Sequence, residues 1–211
     1  TNMKYMFYGC DQLKRFDLAN LNTNKVNDMD SMFRDCKLLI TLNLSNFNTT
    51  NVINMSHMFD GCESIKVLNL SNFNTINLND MSHMFEGCKS LQKLNISSFN
   101  TSKVINMNHM FHECASLGEE EELDLSKFNT TNVINMNYMF FKCKHIYKLN
   151  LSNFNTTNVI NMSYMFYECE SLWRLNISSF NTNKVENLSY MFFGCGYLKN
   201  LDISNFNTGN V

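Results

Sequence analysis

The stretch Cys88-x-x-Leu91-x-x-Leu94-x-Ile96-Ser97-x-Phe99-Asn100-Thr101-x-x-Val104-x-Asn106-Met107-x-x-Met110-Phe111-x-x-Cys114 begins and ends on cysteines 26 residues apart. Working outward from it, the same order of residue types recurs along the whole chain, marked by Cys10, Cys36, Cys62, Cys88, Cys114, Cys143, Cys169 and Cys195. Each gap is 26 residues except that from Cys114 to Cys143, which is 29. A fixed period of this length is the signature of a repeat architecture, here about eight units in one domain over residues 1–211. The three extra residues fall within Gly118-Glu119-Glu120-Glu121-Glu122, and the register resumes at Leu123-Asp124-Leu125. A local bulge absorbs them.

Two periods sit inside each unit. Leu94-x-Ile96, repeated as Leu42-x-Leu44, Leu68-x-Leu70, Leu149-x-Leu151 and Leu175-x-Ile177, alternates as a short half-buried strand does. Val104, Met107, Met110, Phe111 and Cys114 are spaced three or four apart, which predicts a short helical turn, α or 3-10, with one apolar face. The expected fold class is therefore an α/β repeat solenoid, leucine-rich-repeat-like, with one short parallel strand and one short helical turn per 26-residue coil. Neither element buries its apolar face alone, so stacking of coils supplies one continuous core. Parallel strands about 4.8 Å apart imply a rod roughly 40 Å long. The Ser-x-Phe-Asn-Thr segment follows each strand where the backbone turns, and Asn48, Asn74, Asn100, Asn129, Asn155 and Asn181 are expected to stack as a ladder.

The composition is globular, with 44% hydrophobic and 13% aromatic residues. A formal charge of −2 does not favour nucleic acid or an anionic membrane surface, both of which need a concentrated basic face. No apolar run approaches the roughly 18–20 residues that span a bilayer, so direct membrane insertion by this segment is not expected. Thr1 to Cys10 lack the basic and apolar regions of a signal peptide, and any targeting signal is expected outside this stretch.

The unit Leu-x-Leu-Ser-x-Phe-Asn-Thr-x-x-Val-x-Asn-Met-x-x-Met-Phe-x-x-Cys-x-x-Leu resembles the repeat of BspA-like leucine-rich-repeat surface proteins, a type also seen in mycoplasma-type surface lipoproteins. The resemblance covers essentially the whole chain. It departs at Leu188 in place of Met, Leu78 in place of Val, Leu21 in place of Phe, and in the Glu-rich insertion. What it implies is a bacterial protein of the cell surface, or secreted, engaged in adhesion or protein–protein recognition, with a protein or cell-surface ligand and no catalytic residues to carry over.

Variation inside a repeat is where specificity is encoded without disturbing the core. Five residues before each cysteine the chain reads Tyr5, Ser31, His57, His83, His109, Tyr138, Tyr164, Tyr190; two before, it reads Tyr8, Arg34, Asp60, Glu86, His112, Phe141, Tyr167, Phe193. Positions three apart share a face on a helical turn. Tyr138, Phe141, Tyr164, Tyr167, Tyr190 and Phe193 are thus the candidate binding surface, an aromatic stripe. A purely structural role, rings stacking to shield the turns, stands beside that reading. The strand face is the alternative surface, with Lys93, Asn95, Asp124, Lys148, Asn150, Arg174, Asn176 and Asp202.

Other chemistry is sparse. Cysteines 26 apart offer none of the Cys-x-x-Cys pairs of a zinc site and read as small buried hydrophobes. Disulfides between coils require side chains that point together. Neither a cofactor nor a resident metal is predicted. His57, His83 and His109 beside Asp60 and Glu86 raise a metal or pH-switch reading, since stacked imidazoles repel when protonated and share a metal when neutral. With no nucleophile beside a base and no Gly-rich phosphate loop, the chain is not read as an enzyme. The structural rival is a stalk or filament. The chain starts mid-unit at Thr1-Asn2-Met3 and stops mid-unit at Gly209-Asn210-Val211 without capping coils, as expected either of a fragment of a longer array or of a piece that stacks end to end.

Overall fold

A computed structural model describes residues 1–211. Its only regular elements are seven short strands: β1 (Arg15–Asp17), β2 (Thr41–Asn43), β3 (Val67–Asn69), β4 (Lys93–Asn95), β5 (Leu123–Asp124), β6 (Lys148–Asn150) and β7 (Arg174–Leu175). All pairings are parallel and in repeat register, with Phe16 beside Leu42, Leu68 beside Leu94, and Leu149 between Leu123 and Leu175. Strand residues alternate as expected, with Leu68 buried between the exposed Val67 and Asn69. The strands form three separate small sheets, β1-β2, β3-β4 and β5-β6-β7. The second break, between β4 and β5, falls at the insertion.

The helical turn predicted on the opposite side is absent, and no helix occurs anywhere in the chain. Its place is taken by linked tight turns. In the third coil, the amides of Met58, Asp60 and Cys62 bond to the carbonyls of Met55, His57 and Phe59, three residues back. The alternate amides, of Met55, His57, Phe59 and Gly61, bond instead to Asp80, Ser82, Met84 and Glu86 of the next coil. Half the amides therefore close turns and half stitch coils together. What permits this is left-handed backbone at two columns. One is the variable position five before the cysteine, as at His57 (φ 55°), Tyr138 (57°) and Tyr164 (58°). The other is the position just before it, as at Gly61 (71°), Glu113 (56°) and Lys142 (55°). A right-handed helix cannot contain such residues. The i, i+3, i+4 apolar spacing is shared by a helix and by this chain of turns, which is why it misled. Gly61 shows how tightly the turns nest: a Cβ there would lie 2.7 Å from Asp35 Oδ1 and 3.3 Å from its Cα.

The turn side carries the more continuous ladder. Parallel bridges join Asn2, Asp28, Asn54, Asp80, Asn106, Asn135, Asn161 and Asn187 without a gap. The Asn48-type column does not stack amide on amide as expected. The Asn48 Oδ1 accepts from the Thr50 amide in its own coil at 3.1 Å, its Nδ2 donates to Asn24 Oδ1 of the preceding coil at 3.0 Å, and the coil-to-coil bonds that recur along this column are made by threonine. Thr49 Oγ1 donates to the Asn74 carbonyl at 2.9 Å and accepts from the Asn74 amide at 2.7 Å. The same pair of bonds recurs at Thr75, Thr130, Thr156 and Thr182, all buried.

Between the two sides lies one core of 55 buried hydrophobic residues. Its axis is a phenylalanine column, Phe7, Phe33, Phe59, Phe85, Phe111, Phe140, Phe166 and Phe192, with ring centroids 5.5–5.8 Å apart and planes within 13°. The cysteines pack beside it as free thiols. From Cys36 onward each Sγ donates to the carbonyl of the phenylalanine in the preceding coil, as from Cys62 to Phe33 (3.2 Å) and from Cys114 to Phe85 (2.9 Å). Burial pushes the Cys36 and Cys195 thiols up to about 11, and raises those of Cys62, Cys114 and Cys169 well above the ordinary thiol range too. An unfolded thiol ionises near 9. Between that pH and the raised native values the unfolded chain holds fewer protons, so the stabilisation is complete below pH 9 and is lost as pH rises through 9 toward 11 and beyond. The urea midpoint is expected to fall between pH 8 and pH 10. In native buffer a thiol reagent should titrate the exposed Cys10 at once and leave Cys62, Cys88, Cys114, Cys143 and Cys169 unmodified until denaturant is added. Prompt modification of all eight would contradict this packing.

Candidate functional site: an aromatic ladder beside a histidine cluster

The linked turns decide where the variable side chains go. In each coil the residue two before the cysteine donates its amide to the carbonyl of the residue five before it, as from Phe141 to Tyr138 (3.1 Å) and from Tyr167 to Tyr164 (3.2 Å). Both side chains therefore stand on one edge of one turn. Stacking the coils lines these edges up.

The result is two parallel ring columns. In the first, His57, His83, His109, Tyr138, Tyr164 and Tyr190 stack face to face with centroid separations of 4.2, 4.5, 4.5, 4.6 and 4.9 Å. In the second, His112, Phe141, Tyr167 and Phe193 stack at 4.6, 4.7 and 4.9 Å. Tilted cross-contacts tie them together, as between Tyr164 and Tyr167 at 5.6 Å. All six residues of the stripe are thus brought together. Tyr138, Phe141, Tyr164 and Tyr167 are half-buried, while Tyr190 and Phe193 expose 57% and 53% of their surface. Burial, then the neighbouring Tyr164, pushes the Tyr138 phenol up, so that ring is neutral at pH 7. Offset stacks of this kind hold each ring in one rotamer and leave its edge and hydroxyl outward.

Toward the N-terminus the same columns turn polar. His57 Nδ1 meets Asp60 Oδ2 at 2.9 Å, and Arg34 Nε reaches the same oxygen at 3.1 Å. In the next coils three imidazoles converge on Glu86. His83 Nδ1 bonds to Oε2, His109 Nδ1 lies 3.9 Å from Oε2, and His112 Nδ1 lies 3.2 Å from Oε1, off the direction of a hydrogen bond. Burial works to raise the Glu86 carboxyl, but the imidazoles of His112 and His83 outweigh it and hold the group below the usual carboxylate range. Burial, and then His83, push His109 down to about 4, so it is neutral at pH 7.

The strand face is laid out differently. Asn95, Asp124, Asn150, Asn176 and Asp202 each accept the amide two residues on, at 2.9–3.2 Å, so this column is engaged in turning the chain. Lys93 pairs with Glu120 of the insertion at 3.0 Å. Lys148 and Arg174 are exposed side by side across the β6-β7 register, near the exposed Trp173. Sequence reasoning passed over a further column: Ile53, Ile105, Ile134 and Ile160 are 40–48% exposed. Each follows the buried valine of its coil, and that alternation is the signal that marks it as facing outward.

None of the curated proteins matches this chain. A solved structure titled "Crystal structure of TLR13-ssRNA13 complex" aligns with a TM-score of 0.40 and 16% identity, over 93% of this chain and 33% of that one. The chain spans about a third of that protein's length, and nothing about its RNA ligand transfers. A family model described as "Mycoplasma protein of unknown function, DUF285" matches residues 1–122 and 115–211, and the chain belongs to that family.

Proposed function

We propose that this chain is a non-catalytic recognition module of a bacterial surface or secreted protein, binding a protein or cell-surface ligand through Tyr138, Phe141, Tyr164, Tyr167, Tyr190 and Phe193. The observation that carries the reading is the double ring ladder, uncharged, partly exposed and held coil to coil at 4.6–4.9 Å. Aromatic side chains locked before contact lose little conformational entropy on binding, and tyrosine dominates recognition surfaces for this reason. Membership of a repeat family supports recognition in general. Placement among BspA-like adhesins rests on the repeat residues themselves, and a role without nucleic acid rests on the net charge of −2.

The test uses fluorescently labelled chain on intact animal cells and on bacterial cells, wild type beside a Tyr164→Ser/Tyr167→Ser pair, with light scattering as the control for assembly. Saturable binding that weakens roughly 10- to 100-fold in the pair is expected, on the order of 1.4–2.8 kcal/mol for two interface rings. Unchanged binding would move the contact to Lys93, Lys148 and Arg174 on the strand face. Absence of binding, with rods that lengthen as concentration rises, would replace recognition with end-to-end assembly.

A further inference from the structure

The polar end of the ladder has a composition that a contact surface does not require. The fourth coil supplies His83 and Glu86, three residues apart, and the fifth supplies His109 and His112 at the corresponding positions. The third coil carries His57 and Asp60 at the same two positions, but only His83, Glu86 and His109 bring three ligand atoms together. The ligand atoms of His83, Glu86 and His109 all lie within 4.8 Å of one another. The His109 Nδ1–Glu86 Oε2 separation of 3.9 Å is too long for a hydrogen bond. It matches the roughly 3–4 Å between two ligands of one ion with bonds of about 2.0–2.1 Å.

Three further observations point the same way. No lysine or arginine pairs with Glu86; its partners are imidazoles alone. The neighbouring carboxylate Asp60, by contrast, already has Arg34 at 3.1 Å. Nδ1 of His109 and of His112 are shielded from solvent and have no hydrogen-bond partner. Finally, Asn108 sets its amide against the far nitrogen of His83, with Nδ2 to Nε2 at 3.1 Å, while its Oδ1 is buried without a partner. Turning that amide makes Oδ1 the acceptor for an Nε2–H. His83 Nδ1 is then left with a lone pair facing Glu86, the arrangement in which a histidine ligates an ion and is oriented by its second nitrogen. The backbone is rigid here, since the amides of His83 and His109 bond across coils to Asn108 and Asn137 at 3.0 Å each.

We propose that His83, Glu86 and His109 form a binding site for one divalent first-row transition ion of the zinc class, clamping the fourth coil to the fifth. Nitrogen donors with a single carboxylate select such an ion over calcium or magnesium, which prefer all-oxygen shells. His109 stacks on Tyr138 at 4.5 Å, so the ion sits at the head of the aromatic ladder.

The experiment is a titration of untagged chain with Co²⁺, followed by absorption and calorimetry, with histidine-ring NMR of the wild type on adding Zn²⁺. One equivalent should bind, with visible bands of a nitrogen–oxygen site and no thiolate-to-cobalt charge transfer. Zn²⁺ should shift the ring signals of His83 and His109 and leave those of His145 in place. His109→Gln and Glu86→Gln, near-isosteric and checked for fold by circular dichroism, should each weaken binding at least tenfold, and His145→Gln should not. Absence of binding, binding indifferent to both variants, a thiolate band, or ring shifts confined to other histidines would each overturn the assignment. The wild-type titration and ring shifts decide the matter even where a variant fails to fold.

Discussion

Phe111→Ala is expected to lower the unfolding free energy by about 3–5 kcal/mol, the range for emptying a phenylalanine site in a packed core. The ring is fully buried in the middle of the core column, with Phe85 on one face at 5.6 Å and Phe140 on the other at 5.5 Å. Both neighbours are pinned by their own coils. The Phe111 amide bonds to the Met139 carbonyl of the next coil, and its carbonyl accepts both the Cys114 amide and the Cys143 thiol. The backbone therefore cannot collapse into the void. Because each coil touches only its neighbours, a central lesion also weakens the coupling between the two halves of the solenoid. Urea unfolding should show a lowered midpoint and a broader transition. Phe192→Ala is the comparison, since Phe192 is only partly buried and stacks on one partner, Phe166. An equal loss at Phe192 would show that stacking in the column is not what holds the coils.

Thr75→Val is expected to cost about 2–4 kcal/mol although it preserves side-chain volume. Thr75 is fully buried, and its hydroxyl serves two main-chain groups of the next coil at once, donating to the Asn100 carbonyl at 2.9 Å and accepting from the Asn100 amide at 2.7 Å. Valine orphans both, and an unsatisfied buried polar group costs on the order of 1–3 kcal/mol. Thr75→Ser keeps the hydroxyl and should recover most of the loss in the same urea titration. A neutral Thr75→Val would mean that water reaches the Asn100 backbone and that the threonine column is dispensable.

The threonine column illustrates how part of the design is legible one residue at a time and part is not. Its regularity is plain in the repeat, yet by residue type the ladder reads onto the adjacent asparagines. Both residue types satisfy turn amides, and nothing in a linear pattern tells a bond two residues along from one 25 residues along. The aromatic edge was the easier case. Tyr164 and Tyr167 share an edge whether the segment is helical or a chain of tight turns, since either backbone brings positions three apart to the same side. The expected sharing of a face therefore holds although the expected helix does not. The exposed Ile53, Ile105, Ile134 and Ile160 were overlooked because a β-branched residue beside a buried valine reads as core by composition.

The sequence by itself determined the period, the number of coils, the buried columns and the place of the insertion, because each depends only on which residue types recur at which spacing. The tertiary structure decided three other things. It set the sign of φ at the variable column, which turns half the amides outward to the next coil. It set the partner of each threonine hydroxyl. It also gathered His83, His109 and His112 around the single carboxylate of Glu86. The physical reason is common to all three: apolar spacing reports which side chains avoid water, whereas hydrogen bonds and ligand distances depend on how far apart and at what rotation one coil lies on the next. That offset is fixed only when the coils stack.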